Sequence, residues 1–295
     1  MIVAVCSLSG APGVTSLAVA LAACWPASPV TVPVIVEADA SGGDIAAWHG
    51  LEGAPRTGLV ALAAASRTPA LVPREETVQG PLDVFSGEEQ ANPAPARFAV
   101  EVPGGLRVVA APGDPLEAGH AVAVLAQNPA LLASGRATVV DVGRAVPGSA
   151  GAALLRHADL VLVVTAPGDI GQAARLRSCA PVLASLREDG TRVGLVVTGN
   201  CPHPDAEVSR FSADLPVWAR IPHDPVGAAL VRGEHRPPVR WRDRWAAWSA
   251  HRRDPDGLEW MPLIKAAKGL AELCDDFSGV GLDTLGPELA KAGAA

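Results

Sequence analysis

Apolar runs of strand length alternate with helix-period stretches along most of the chain. Residues 2–7, 32–37, 106–111, 138–141, 160–165, 192–198 and 217–220 predict strands. Several are continuous Val, Leu and Ile, the pattern of strands buried on both faces of a parallel sheet. Between them, residues 15–24, 118–133, 170–187 and 205–212 predict helices. The alternation points to an α/β fold, a doubly wound and mainly parallel sheet flanked by helices. In such sheets ligands bind beyond the carboxyl ends of the strands, so chemistry is to be sought in the loops there. Two stretches break the rhythm: residues 68–105, rich in Pro, Glu and Gln, read as a surface excursion, and residues 235–253 as a Trp- and Arg-rich insertion. Residues 276–295 read as a flexible tail, leaving one domain over residues 1–275.

The 295 residues are about half apolar, enough for a substantial core. No apolar run approaches the roughly 20 residues of a membrane-spanning helix. The longest, residues 14–25, has no basic segment before it, as a signal peptide would. A cytoplasmic protein is expected. The net charge of −7 argues against sequence-specific nucleic-acid binding. Cys6, Cys24, Cys179, Cys201 and Cys274 form no CxxC pair and read as reduced thiols.

The first strand runs into Ser7-Leu8-Ser9-Gly10-Ala11-Pro12-Gly13-Val14-Thr15-Ser16 and then a helix. A glycine-rich turn of this kind aims backbone N–H groups and a helix N-terminus at one point, which favours a phosphate. Other segments follow in order: Val36-Glu37-Ala38-Asp39 with Gly42-Gly43-Asp44, then Val140-Asp141-Val142-Gly143-Arg144, then a strand ending Thr165-Ala166-Pro167, and later Ile221-Pro222-His223-Asp224-Pro225. In this ordered combination the chain resembles the MinD/ParA family of deviant Walker P-loop ATPases, including its CpaE/TadZ-like pilus-assembly branch. The resemblance runs over about residues 2–233 and resumes near residues 262–273.

It implies an ATP or ADP site with Mg²⁺. Gly10, Ala11, Gly13, Val14, Thr15 and Ser16 match the phosphate loop, with Thr15 as a magnesium ligand. Asp39 matches the acid that orients the attacking water beside the metal, and Glu37 the acid two residues earlier. Asp141 matches the Walker B aspartate, which holds magnesium through water. Asn200 falls near the adenine-reading asparagine, although Thr198 competes for that place. The departures weigh as much. Ser9 stands where the family's signature lysine reaches across a dimer, and Val14 where its loop lysine neutralises the β- and γ-phosphates. Pro12 removes a backbone donor. Losing a charge-assisted hydrogen bond of roughly 1.5–3 kcal/mol costs affinity about ten- to a hundred-fold, and phosphoryl transfer loses electrostatic stabilisation besides.

Three readings follow. The first is a pseudo-ATPase scaffold, a spatial organiser or assembly factor for protein partners such as a pilus or secretion ATPase, with a homodimer as one form. The second is an active switch with a relocated cation, for which Arg144 is best placed. The third is a plain α/β domain whose acids merely cap strands; Thr15 with the retained acids, a magnesium-handling set, argues against it. Trp241, Trp245 and Trp248 share one helical face amid arginines. Such a face suits packing on the domain, a partner, or a membrane surface over residues 240–253, which would place the protein at the inner face of a membrane. His223 reads as a loop histidine, and Cys201-Pro202-His203 is too short a cluster for a metal.

Overall fold

A computed structural model describes residues 1–10, 13–26, 33–51, 57–66, 94–133, 137–234, 258 and 260–279. In chain order its elements are β1 (Ile2–Ser7), α1 (Val14–Ala23), β2 (Val34–Glu37), α2 (Ile45–His49), α3 (Gly58–Ala65), α4 (Ala94–Phe98), β3 (Val100–Val102), β4 (Leu106–Val109), α5 (Pro115–Gln127), β5 (Thr138–Arg144), α6 (Ala150–Leu154), β6 (Leu160–Thr165), α7 (Ile170–Glu188), β7 (Arg192–Thr198), α8 (Asp205–Phe211), β8 (Val217–Ile221), α9 (Pro225–Val231) and α10 (Pro262–Gly279). Among the described residues the strands form one eight-stranded sheet in the order β3-β4-β2-β5-β1-β6-β7-β8. All neighbours pair in parallel except the edge pair β3–β4. This is the doubly wound α/β sheet that the alternation predicts.

Period-two alternation splits the core in two. Val3 and Val5 of β1 join the apolar layer with α1 and α10, while Ala4 and Cys6 join the layer with α3, α5 and α7. Strand β1 is central, so its loop opens in the middle of the carboxyl edge. No helix among the described residues is long and apolar enough to cross a membrane.

Several predicted boundaries move for local reasons. The helix expected over 118–133 starts earlier, because the Asp114 side chain caps it by accepting from the amides of Leu116 (2.7 Å) and Glu117 (3.2 Å). It also stops at Gln127, before Pro129, and a short 3₁₀ turn, Pro129–Leu132, follows. Within the excursion expected over 68–105, residues 94–102 build α4 and the edge strand β3, with Val102 buried against the core. The tail expected from 276 begins inside α10. Phe277 is held there by Trp218, at 5.9 Å between rings, and by the Arg192 guanidinium 4.7 Å from its ring centre. Residues 68–93, the insertion 235–253 and residues 280–295 lie outside the described residues.

Candidate functional site

The loop after β1 reaches α1 through two glycines in left-handed backbone conformation, Gly10 (φ 62°) and Gly13 (φ 101°). Helix α1 has no capping side chain and no acid in its first turn. Helices α5, α7 and α9 are capped by Asp114, Asp169 and Asp224. The first amides of α1 are thus left for an outside acceptor, in the positive end of the helix dipole. Ala11 and Pro12 lie outside the described residues. Val14 is 6% exposed and belongs to the apolar layer beneath the loop.

The acids arrive from neighbouring strands. Glu37 of β2 stands in register with Asp141 of β5. Glu37 is buried, and its Oε1 accepts from the amides of Asp44 (2.7 Å) and Ile45 (3.0 Å), while Oε2 accepts from the amide of Ala111 (2.9 Å). It ties the start of α2 and the end of β4 to the sheet. Gly43 lies against this carboxylate so closely that a Cβ would collide with it. Burial pushes the Glu37 carboxyl up, against the pull of its three amides, and the charge of Asp44 adds to the rise.

Asp141 is fully buried. Its Oδ1 accepts from the Gly143 amide at 2.9 Å, and its Oδ2 has no hydrogen-bond partner among the described residues. Burial pushes its carboxyl up to about 7; the Thr15 hydroxyl and the Gly143 amide oppose the rise, and the charges of Glu37 and Asp39 add to it. The same environment pushes the Cys6 thiol up to about 12, through burial first and then the charge of Asp141. Between Asp141 and Gly143 the pairing with β1 slips by one residue, a bulge that leaves Gly143 with φ 61°. A Cβ on Gly143 would overlap the Asp39 carboxylate, so Asp39 rests directly on this glycine. Asp39 Oδ1 accepts from the Ser41 amide at 2.7 Å. Burial raises the Asp39 carboxyl, the Ser41 amide and hydroxyl oppose this, and Asp44 adds to it.

A cleft of about 220 Å³ opens at this point, and the described loop residues Gly10, Gly13, Val14, Thr15 and Ser16 line it together with Asp39 and Arg144. Asp141 lies behind Thr15 and Gly143. Arg144 is exposed and forms no ion pair among the described residues. Asn200 is exposed beyond β7 and does not line the cleft. The Thr198 hydroxyl donates to the Thr165 carbonyl at 3.3 Å, a contact between strand ends. His223 is exposed in the loop after β8. His203 pairs with Glu207 at 3.2 Å, and its carbonyl accepts from Arg220 at 2.6 Å. That loop is built by its own contacts.

Four residues that line the cleft had no role in the sequence reading, Ser7, Gly143, Asp44 and Trp48. Asp44 sits at the N-cap of α2 without capping it. Its signal was the Gly-Gly-Asp run; Trp48 gave none, because its place depends on how α2 is tethered.

Magnesium fits this donor set. A buried carboxylate oxygen with no partner, beside a threonine hydroxyl, offers the hard oxygens that a hydrated magnesium ion takes. Among the described residues no three His, Cys, Asp or Glu side chains are arranged to hold a metal by themselves, so the remaining ligands would be water and phosphate. A phosphate chain fits the backbone cradle, but Val14 gives it no ammonium.

The sheet order and the glycine loop between the central strand and α1 define the class, a P-loop NTPase fold of the MinD/ParA type. Comparisons with family models and with curated proteins give no match. Solved structures do match. The chain is similar to a ParA family ATPase from Chlorobium tepidum TLS, at 15% identity and TM-score 0.59, covering 92% of this chain and 97% of that one. It is similar to the cell division ATPase MinD of Pyrococcus furiosus, at 16% identity and TM-score 0.57, over 92% and 98% of the two chains. The septum site-determining protein MinD from Pyrococcus horikoshii OT3, solved with Mg-ADP, gives 16% identity and TM-score 0.57 over 94% and 97%. At such identities the likeness establishes the fold.

Proposed function

We propose that this chain is a MinD/ParA-like protein with a degenerate nucleotide site, working as a spatial organiser or assembly scaffold for a pilus or secretion machine of the CpaE/TadZ kind. The observation that carries the reading is Val14, a buried aliphatic packed into the core where the family's lysine faces phosphate. Bound magnesium would neutralise phosphate charge. Thr15 would ligate it, Asp141 would hold it through water, and Asp39 would stand beside it to orient a water. The α1 amides would cradle the phosphates, and Asn200 would reach the base only from outside the cleft. Binding is weak and turnover very slow or absent, since no ammonium meets the charge that develops on the transferred phosphoryl group. Its partners are proteins, with a second copy of the chain among them. The protein works in the cytoplasm; liposome co-sedimentation of wild type against Trp241→Ala and Trp245→Ala decides whether residues 240–253 also bring it to the inner membrane face.

The experiment is calorimetric titration of Mg·ATP and Mg·ADP, followed by a phosphate-release assay. Turnover above ~0.01 per second, ordinary for a slow P-loop enzyme, sinks the scaffold reading. A second reading, an ATP-driven switch, draws on one observation: Arg144 is exposed, in the cleft lining, and without an ion pair among the described residues. Arg144→Ala then abolishes turnover and weakens nucleotide binding. Unchanged binding removes Arg144 as the cation.

A further inference from the structure

We propose that the indole N–H of Trp48 is the hydrogen-bond donor that stands in for the absent loop lysine, so that the cleft takes a magnesium-bound diphosphate or triphosphate group against a neutral aromatic wall. The proposal rests on the reading above that the cleft is an attenuated phosphate site. Trp48 lines the cleft beside Gly10, Gly13 and Thr15. On its other side it packs against the apolar layer that contains α1 and Val14. Its position is set from beneath. Glu37 captures the Asp44 and Ile45 amides at the start of α2, and the Trp48 amide donates to the Asp44 carbonyl at 3.0 Å one turn later.

The indole nitrogen is a donor only. It makes no hydrogen bond among the described residues, and it is not a buried orphan, since Asp141 Oδ2 alone holds that status among them. Trp48 borders both this cleft and the cavity beside Val19 and Trp25, and the direction of its N–H toward the cleft is the step that the titrations below test. The other donors there are the uncapped α1 amides, also neutral, and the exposed Arg144 guanidinium, whose single charge is outweighed by the carboxylates of Asp39 and Asp44. A neutral donor satisfies a phosphate oxygen without cancelling its charge. The ligand therefore has to bring a divalent cation, and the orphaned Asp141 oxygen waits on that side of the cleft.

The test uses the full chain and pyrophosphate, which has no base to stack on the indole. Mg·pyrophosphate and Mg·ATP are titrated by calorimetry into wild type and Trp48→Phe, which keeps a ring on the core but loses the N–H; thermal melts confirm folding. The expected result is affinity lower by tenfold or more for both ligands, the order of one hydrogen bond to a charged acceptor. Equal affinities overturn the role of Trp48 and leave the degenerate-site reading standing. No binding by wild type up to ~10 mM also overturns the proposal, yet leaves the scaffold intact. Rapid phosphate release would instead remove the scaffold reading while the Trp48→Phe affinities still judge the donor. Should Trp48→Phe fail to fold, wild type decides by its ¹⁵N indole resonances, of which the seven tryptophans give seven. One must shift saturably with Mg·pyrophosphate; if none moves, the proposal falls.

Discussion

The ends of β2 and β5 lie side by side, with Glu37 opposite Asp141, and they treat a buried carboxylate in opposite ways. Glu37 meets three backbone amides, from the start of α2 and the end of β4. Asp141 meets one amide and the Thr15 hydroxyl, and leaves an oxygen bare. A buried charge is tolerated when its lone pairs are filled, and is costly otherwise. Glu37 is therefore part of the framework. Asp141 is kept at a cost to the fold, which the magnesium site proposed above accounts for.

Glu37→Ala tests the framework side and carries the largest effect. Three amides lose their acceptor, and stability falls by about 3–5 kcal/mol. A wild-type melting temperature would erase the contrast. Gly143→Ala comes next. Its Cβ forces Asp39 away and strains a left-handed residue that also tethers Asp141, for a loss of about 2–3 kcal/mol by urea unfolding.

Asp141→Asn acts in the opposite direction. Burial raises the carboxyl from 3.8 to about 7, so between those values the folded state keeps a proton that the unfolded state has released. Stability from this group is thus full below about pH 4 and falls as the pH rises toward about 7. The asparagine removes that loss, so the variant is more stable than wild type above about pH 7, by ~1–3 kcal/mol. The gap closes near pH 4. A variant less stable at every pH would show that Asp141 is framework too. Smallest is Arg144→Ala, which shifts stability by less than about 0.5 kcal/mol, because the side chain is exposed and forms no ion pair among the described residues. Any larger loss in a melt would give Arg144 a structural partner.

The fold was legible because its signals are local. Continuous Val and Leu runs of strand length such as residues 160–165 read as strands buried on both faces, and the glycine loop after residues 2–7 marks the strand that leads into the candidate site. The acids were legible as types at spacings: Glu37, Asp39 and Asp141 each close an apolar run. Their difference in role was not, because it depends on which amides the chain brings back to them. Edge strand β3 was hidden by its three residues and by the Pro- and Glu-rich sequence before it. Trp48 was hidden because the start of α2 is tied to the sheet by Glu37, through the amides of Asp44 and Ile45.

The sequence by itself determined the layered α/β architecture, the glycine turn and the absence of lysine from that turn, since period, turn chemistry and residue identity are properties of neighbours along the chain. Only the tertiary structure decided that Val14 faces the core, that Asp39 lies on Gly143, and that Trp48 borders the cleft. Those facts follow from strand register, a one-residue bulge and hydrogen bonds that span many residues, and no local pattern encodes the partner at the far end of such a contact.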